Sequence, residues 1–377
     1  MNCPSCATEL APRATFCSHC GHRIEDPYVG TTLNGRYRIE SKIAVGGFGS
    51  IYQATELDLG RDVAIKIMHP ELAADDKLVA RFRREGAVLC NLRDAHTVTT
   101  YELDQTADGR LFLVMELLTG RTLLDVFLAE GKVPWRRMFA YMRQMCSALA
   151  EAHALGVVHR DLKPANIFLE TRPAGDDFVK VLDFGIAKVM HESGIDDGAE
   201  LTAMGQAVGT VEYMAPEQLM GGKCDGRTDI YTVGVVAYEM ITGRRPFGAV
   251  GLDLLTVQLS ETPAPPSQLA AVPASADRLL LRCLDHDAER RFADVQALAR
   301  AIDEVLTAEP PRAPIPSLFA APPLPPRTPT PAQIARIPAP FPAPVPPPPR
   351  LRVGRIAIAV ALLVALGAGL AAVIRSL

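Results

Sequence analysis

The 377-residue sequence predicts an α+β fold with its strands first and its helices after them. Apolar, β-branched stretches recur through the first third, at Tyr37-Arg38-Ile39, Val63-Ala64-Ile65 and Leu111 to Met115. Beyond them the apolar spacing changes to 3.6, so that Met138, Met142, Met145, Leu149 and Ala152 share one helical face, a core seam. Buried helical patterns resume at Ile230–Ile241, whose start Asp229 marks, and run to about Leu306.

Composition narrows the function. Lys+Arg 39 against Asp+Glu 43 leaves a formal charge of −4, so no global basic field argues for a nucleic-acid partner. Four of the eight cysteines fall in two C-x-x-C pairs within the first twenty residues, and the others are scattered singly through apolar contexts. That distribution fits reduced thiols in a cytosolic chain rather than a disulfide framework. The start, Met1 to Leu10, has neither the basic opening nor the apolar run of a signal peptide.

In residues 1–25, Cys3-Pro-Ser-Cys6 and Cys17-Ser-His-Cys20 place two thiolates each on one side of a tight turn, which completes a tetrahedral shell for structural Zn²⁺. A segment this short has no core of its own and needs the metal to fold. With four cysteines sufficient, His19 and His22 are expected in solvent, and the segment resembles short bacterial zinc ribbons. Residues 26–36 read as a connector, with turn signals at Asp26-Pro27 and Asn34-Gly35.

A glycine-rich hairpin follows, Ile43-Ala44-Val45-Gly46-Gly47-Phe48-Gly49-Ser50-Ile51, where backbone N–H groups can approach a polyphosphate unobstructed. Alone it is also compatible with an ordinary turn. Lys66 ends the run Val63-Ala64-Ile65-Lys66, and a lysine on a buried strand requires a fixed anion. Glu85, in the helical stretch Leu78–Leu92, is the expected partner.

After the helix that ends at Gly156 comes His159-Arg160-Asp161-Leu162-Lys163-Pro164-Ala165-Asn166, and then Asp183-Phe184-Gly185. These stretches supply a carboxylate to accept a proton, with a second carboxylate and an amide to hold metal ions. His191 to Gly205 is polar and aperiodic, as a mobile loop would be, and closes at Gly209-Thr210 and Ala215-Pro216-Glu217. Arg291, a lone cation in a mostly apolar region, is expected to pair with Glu217.

Residues 310–349 hold eighteen of the 31 prolines and are expected to form an extended, disordered linker. Ile356 to Ile374 is an uncharged run of nineteen Ala, Val, Leu, Ile and Gly residues, enough for a transmembrane helix. Arg350, Arg352 and Arg355 precede it and only Arg375 follows, so the positive-inside bias puts the N-terminal part in the cytoplasm of a tail-anchored, single-pass protein of the inner (plasma) membrane.

Taken in order, the hairpin, Val-Ala-Ile-Lys66, Glu85, His-Arg-Asp161-Leu-Lys163-Pro-Ala-Asn166, Asp183-Phe-Gly and Ala-Pro-Glu217 resemble the protein-kinase signature over residues 37–306. The setting is similar to that of bacterial eukaryotic-like Ser/Thr kinases. The resemblance implies a bilobal fold, with a small β-rich lobe and a large helical one. It also implies ATP with Mg²⁺ or Mn²⁺ as cofactors, and protein Ser/Thr hydroxyls as acceptors. By similarity Lys66, held by Glu85, binds the α/β-phosphates, and the backbone of residues 46–50 covers them. Asp183 and Asn166 hold the metal, Asp161 accepts the substrate proton, and Lys163 neutralises the γ-phosphate. Met115 is the gatekeeper, and Glu116 to Leu118 form the adenine hinge. Arg160 requires an anion, which a phosphate on Thr202 would supply after trans-autophosphorylation in a homodimer, whereas the Thr210 hydroxyl is structural. Ala44 stands where the family has its first loop glycine, which tunes nucleotide affinity, and Ala288 replaces a usual proline. The rival readings are a membrane-tethered, non-catalytic kinase-fold scaffold and, more weakly, a small-molecule kinase.

Overall fold

The computed structural model describes residues 2–9, 16–22, 26–46, 49–70, 76–172, 177–184, 211–248 and 252–308, with the side chains of 76–78, 81, 85 and 252 outside the description. Outside it lie Gly47 and Phe48 of the hairpin, Gly185, the loop with Thr202 and Thr210, the proline-rich segment and the apolar run at 356–374. Among the described residues no helix is long and apolar enough to cross a membrane.

The predicted strands-then-helices order is present. A six-stranded antiparallel sheet is built from β1 (Thr32–Leu33), β2 (Tyr37–Val45), β3 (Gly49–Glu56), β4 (Arg61–Met68), β5 (Thr100–Gln105) and β6 (Leu111–Glu116), in spatial order β1-β2-β3-β4-β6-β5. The stretch expected to be only a connector contributes a strand. Asn34 (φ 48°) and Gly35 (φ 69°) turn the chain so that Thr32 and Leu33 pair with Arg38 and Tyr37. Positive φ at both positions is what such a hairpin turn demands, and Asn-Gly supplies it cheaply.

Strand β4 explains how the lysine is held. Side chains alternate across a strand. Val63, Ile65 and Ile67 join Tyr37, Ile39, Tyr52, Phe112 and Val114 in one apolar layer. Lys66 and Met68 point to the opposite side, where Phe82 of helix α1 (Asp76–Leu89) packs on Met68, Leu111 and Leu113. Lys66 is therefore buried, 3% exposed, on the face that looks toward the helical half.

That half is organised by two long helices, α3 (Trp135–Ala154) and α5 (Gly226–Thr242). The predicted seam is present, since Met138, Met142, Met145, Leu149 and Ala152 are each 0% exposed in one core with Ile230, Val233, Val236 and Met240 of α5. Helix α5 starts earlier than the sequence pattern suggests: its N-cap is Asp225, which accepts the Arg227 N–H, and Asp229 lies inside the helix at 0% exposure. A three-stranded sheet, β7 (Gly120–Thr122), β8 (Ile167–Thr171) and β9 (Asp177–Val181), joins α2 (Leu123–Glu130) to the site. The short α4 (Pro216–Leu219), α6 (Leu252–Ser260), α7 (Ala274–Cys283) and α8 (Val295–Ala308) complete the layer.

Candidate active site

The stretch 159–166 leaves α3 and enters β8 through a single 3₁₀ turn, Pro164–Asn166. Its shape comes from below, from Asp229. One carboxylate oxygen of Asp229 accepts the His159 N–H (2.9 Å) and the His153 ring Nε2 (2.7 Å), and the other accepts the Arg160 N–H (3.0 Å). Arg160 is thereby held at φ 65°, a left-handed conformation unfavourable for a long side chain. Burial pushes the Asp229 carboxyl up, but the hydrogen bond and charge of His153, the charge of His159 and the Arg160 N–H outweigh it and hold it below the ordinary range.

Above this support, Asp161 is gripped on several sides. Lys163 Nζ lies 3.0 and 2.9 Å from its two carboxylate oxygens. Asn166 Nδ2 donates to the Asp161 carbonyl (2.7 Å) and to the Oδ2 atom (3.1 Å). With its amino group so committed, Asn166 has its amide oxygen left as a ligand atom.

The same loop is tied to the strand that carries Asp183. Leu182 donates its N–H to the Asn166 carbonyl (2.9 Å), while its own carbonyl meets His159 Nε2 (2.8 Å). Asp183 itself sits at φ 59°, and its Oδ1 is 2.7 Å from Lys66 Nζ. Burial pushes the Asp183 carboxyl up, and the charge and hydrogen bond of Lys66 more than reverse that, so it is held below the usual carboxylate range. The fixed anion required for Lys66 is thus Asp183; the side chain expected to serve, that of Glu85, lies outside the described ones. Helix α1, which carries Glu85, ends at Leu89 rather than Leu92.

The glycine-rich hairpin closes with the Gly46 N–H on the Gly49 carbonyl (2.8 Å). Ala44 pairs with Ile51 and Val45 with Ser50, so alanine fits this strand end without distortion, and Ile43 and Val45 are half exposed. At the other wall, the Glu116 N–H is taken by the Thr99 carbonyl (3.0 Å) and the Thr99 N–H by the Glu116 side chain (2.7 Å), at the place where the sequence expects the adenine hinge to begin. Met115 lines a small cavity with Leu113, Thr100, Asp183 and Phe184, where a gatekeeper would stand.

Three contributors were not visible in the sequence. Asp229 is one. Lys180 is another: its Nζ bonds Glu116 Oε1 (2.6 Å), linking the end of β6 to the strand before Asp183. Gln218 is the third, donating to the Arg160 carbonyl (2.9 Å), while Arg160 Nε is buried without a partner among the described residues. Arg291, at the end of a 3₁₀ turn, meets Glu217 bidentately at 2.8 and 2.9 Å, as anticipated, and also bonds the carbonyls of Asp285 and Arg227 (2.8 and 3.0 Å).

A second constellation lies at the N-terminus. Cys3, Cys6, Cys17 and Cys20 hold their sulfurs within 4.8 Å of one another, with closest separations of 3.6 and 3.5 Å. A tetrahedral zinc with about 2.3 Å bonds would space them at about 3.8 Å, so the donor set fits that ion. The two knuckles share one backbone pattern: Ala7 N–H to Cys3 O and Gly21 N–H to Cys17 O, both 2.9 Å, with Ala7 and Gly21 at φ 58° and 71°. Hydrogen bonds with the Thr8 side chain and backbone lower the Cys6 thiol to about 6, whereas the Cys20 thiol, despite the bond with the His22 backbone, is pushed up to about 11 by its bond with Cys6. His19 and His22 are exposed, as expected.

Comparison with known proteins places this geometry. A family model described as "Protein kinase domain" matches residues 37–302. The chain is 40% identical over 286 residues to serine/threonine-protein kinase pkn3 of Myxococcus xanthus, covering 74% of this chain and 52% of that protein. It is 35% identical over 283 residues to serine/threonine-protein kinase PknL of Mycobacterium tuberculosis, covering 74% and 68%. Among solved structures it is similar to the M. tuberculosis PknI kinase domain, with a TM-score of 0.57 and 27% identity over 73% of this chain and 98% of that one. The chain spans about half the length of the curated relatives it matches, 52%, 41% and 43% of the first three.

Proposed function

Because the chain belongs to the protein kinase family, we propose that it transfers the γ-phosphoryl group of ATP to Ser or Thr hydroxyls of protein substrates in bacterial signal transduction. The observation that carries this reading is the convergence of two ion pairs: Lys66 on Asp183 at 2.7 Å, and Lys163 on Asp161 at 2.9 Å, joined through the Leu182–Asn166 and Leu182–His159 contacts. Phosphoryl transfer needs positioning and charge neutralisation more than covalent help, and this arrangement supplies both.

Lys66 binds the α/β-phosphates beneath the glycine-rich hairpin. Asp161 aligns the substrate hydroxyl and takes its proton as the new O–P bond forms and the bond from the γ-phosphorus to the β,γ-bridging oxygen breaks, leaving ADP. Lys163 turns from the Asp161 carboxylate to the oxygens of the transferred group. Asp183 and the Asn166 amide oxygen are the groups that would hold Mg²⁺ or Mn²⁺, whose chemistry is charge neutralisation on the phosphate oxygens. The Lys163-Pro164 pair and the segment ending at Glu217 favour a peptide acceptor over a small molecule.

The finer assignments belong to the same proposal. The four N-terminal cysteines bind structural Zn²⁺. Residues 310–349 are the tether and 356–374 the anchor of an inner-membrane protein with residues 1–306 in the cytoplasm, supported by hydropathy and by the arginines that precede the run. Phosphorylation of Thr202 in trans by a second copy supplies the anion for Arg160, whose Nε, buried and without a partner among the described residues, supports that role. Thr202→Ala should lower the initial rate and remove one mapped phosphopeptide; unchanged activity would discard Thr202.

The test of the main proposal is incubation of the full chain with labelled ATP and Mg²⁺, with and without a generic basic protein. Label transfer to either protein is the expected result. Its absence, with nucleotide binding intact, would turn the assignment to a membrane-tethered scaffold.

A further inference from the structure

The connector after the cysteine knuckles is fastened to the roof of the nucleotide site, and Asp26 is the fastening. Its Oδ2 atom lies 2.7 Å from Lys42 Nζ and accepts the Tyr52 hydroxyl at 3.1 Å, while Oδ1 accepts the Tyr28 N–H at 3.0 Å. The Asp26 side chain is only 16% exposed. Tyr28 then lays its ring edge-on to Tyr52, with centroids 5.7 Å apart. Behind it the backbone is laced to β2, with the Gly30 N–H on Ile39 O and the Ile39 N–H on Thr31 O, both 2.9 Å.

The two residues Asp26 grips are not arbitrary. Lys42 and Tyr52 face each other across the β2–β3 hairpin, and next toward the tip come Ala44 with Ile51 and Val45 with Ser50. The register shifts between Lys42 and Ala44, which makes Ile43 the extra residue of a bulge. A bulge bends and twists its strand, so it sets the angle at which the glycine-rich tip leaves the sheet. Asp26 clamps the pair on the sheet side of that bend. Toward the N-terminus, His22 is the last residue of the second knuckle, its carbonyl accepting the Cys17 N–H at 2.8 Å. Three residues of chain lie between it and Asp26, a leash of at most about 14 Å over the four steps.

We propose that Asp26 is a positioning residue for the nucleotide roof, and that through it the metal-loaded cysteine ribbon sets the enzyme's affinity for ATP. The proposal rests on the zinc and kinase readings above and goes beyond them, since it gives the ribbon a task within the catalytic cycle. A folded ribbon fixes the near end of the leash and limits how far Asp26 can stray from Lys42 and Tyr52. An unfolded ribbon releases that end, and the hairpin loses its preferred angle. Asp161, which takes the proton, and Lys163, which meets the transferred group, pair with each other on another loop and are untouched by either change. The signature is therefore a change in nucleotide affinity with turnover preserved.

The experiment uses the full chain, as wild type and as Asp26→Asn, each with its zinc in place and after treatment with a zinc-selective chelator. The readouts are KM for ATP, kcat, and the Kd of a fluorescent ATP analogue measured without turnover. We expect Asp26→Asn to raise KM and Kd roughly threefold to tenfold, the scale of losing a partly exposed charge-assisted contact, with kcat within about twofold. Chelation should raise both constants similarly in wild type and add nothing in Asp26→Asn. Tyr52→Phe removes only the hydroxyl contact and should show a smaller shift of the same kind, which covers the case of an Asp26 variant that fails to fold. Unchanged Kd in both variants would overturn the proposal. Additive effects of chelation and substitution would overturn the link through Asp26, and so would protein that elemental analysis shows to carry no zinc. An inactive wild type with a normal Kd response would instead strike the kinase reading and leave the clamp standing.

Discussion

Replacing Asp229 with asparagine should uncouple the catalytic loop from the helical core. The carboxylate accepts three hydrogen bonds from two sides: His153 Nε2 and the His159 N–H on one oxygen, the Arg160 N–H on the other. Asparagine is nearly the same shape but turns one acceptor into a donor. If its amide oxygen keeps the pair at His153 and His159, its amino group faces the Arg160 N–H, and one buried bond is lost outright. A hydrogen bond to a charged group contributes about 1.5–3 kcal/mol against about 1 for a neutral one, so one lost bond and two weakened ones sum to about 3 kcal/mol. The positive φ of Arg160 adds about 1–2 kcal/mol of strain that nothing then opposes, and the loop relaxes. Urea unfolding followed by intrinsic fluorescence should show the loss as a lower midpoint at unchanged slope. Steady-state assays should show kcat falling at least tenfold while KM for ATP stays within about threefold, because Lys66 and the hairpin are on the other side of the site. Stability within 0.5 kcal/mol of wild type, together with normal kcat, would refute the reasoning.

Other perturbations separate the remaining contacts. Glu217 is pushed up by burial but held below its ordinary value of 4.5 by Arg291. A depressed carboxylate contributes stability above its unfolded pKa and loses it as pH falls through the folded one. The stability gap between wild type and Glu217→Gln should therefore be full at pH 7 and close in acid below about pH 4.5, as read by denaturation at a series of pH values; a gap independent of pH would contradict the pairing. Arg291→Met removes a cation whose side chain is 0% exposed and leaves Glu217 without its partner, so about 3–5 kcal/mol should be lost in the same assay. The two described glycines of the hairpin, Gly46 and Gly49, should behave differently. A Cβ on Gly46 would meet only Gly49 O at an ordinary 3.5 Å, whereas one on Gly49 would fall 2.3 Å from Ile67 O. Gly46→Ala should leave thermal stability unchanged, while Gly49→Ala should cost about 1–3 kcal/mol and weaken nucleotide binding; equal effects would argue against the hairpin geometry.

The sequence made the chemistry-bearing residues legible because phosphoryl transfer needs rare residue types at short, fixed spacings. Lys66 on a buried strand, Asp161 with Lys163 and Asn166, and Asp183 could be read without a fold, and so could the pairing of Arg291 with Glu217. Periodicity likewise exposed the methionine seam, since each of its members is fully buried against α5. What escaped were groups whose role depends on distance in space. Asp229 and Asp225 look alike at a helix start; only burial shows that Asp225 caps the helix while Asp229 turns inward to hold a loop seventy residues earlier. Lys180 sits in an apolar strand, and nothing local connects it with Glu116. Lys66 shows the converse, where the need for an anion was clear from the strand but the partner the structure records, Asp183, lies 117 residues away. Asp26 read as a turn former, a role it also fills through the Tyr28 N–H, and its grip on Lys42 and Tyr52 needs the hairpin register to be seen.

The proposed division of labour has Asp161 take the proton of the acceptor hydroxyl while Lys66 and the hairpin bind nucleotide independently. It is tested most directly by Asp161→Asn in the full chain, measuring single-turnover phosphate transfer alongside the Kd of an ATP analogue. Transfer should slow by about 10²–10⁴, with Kd within about twofold of wild type. Transfer at the wild-type rate would contradict that division.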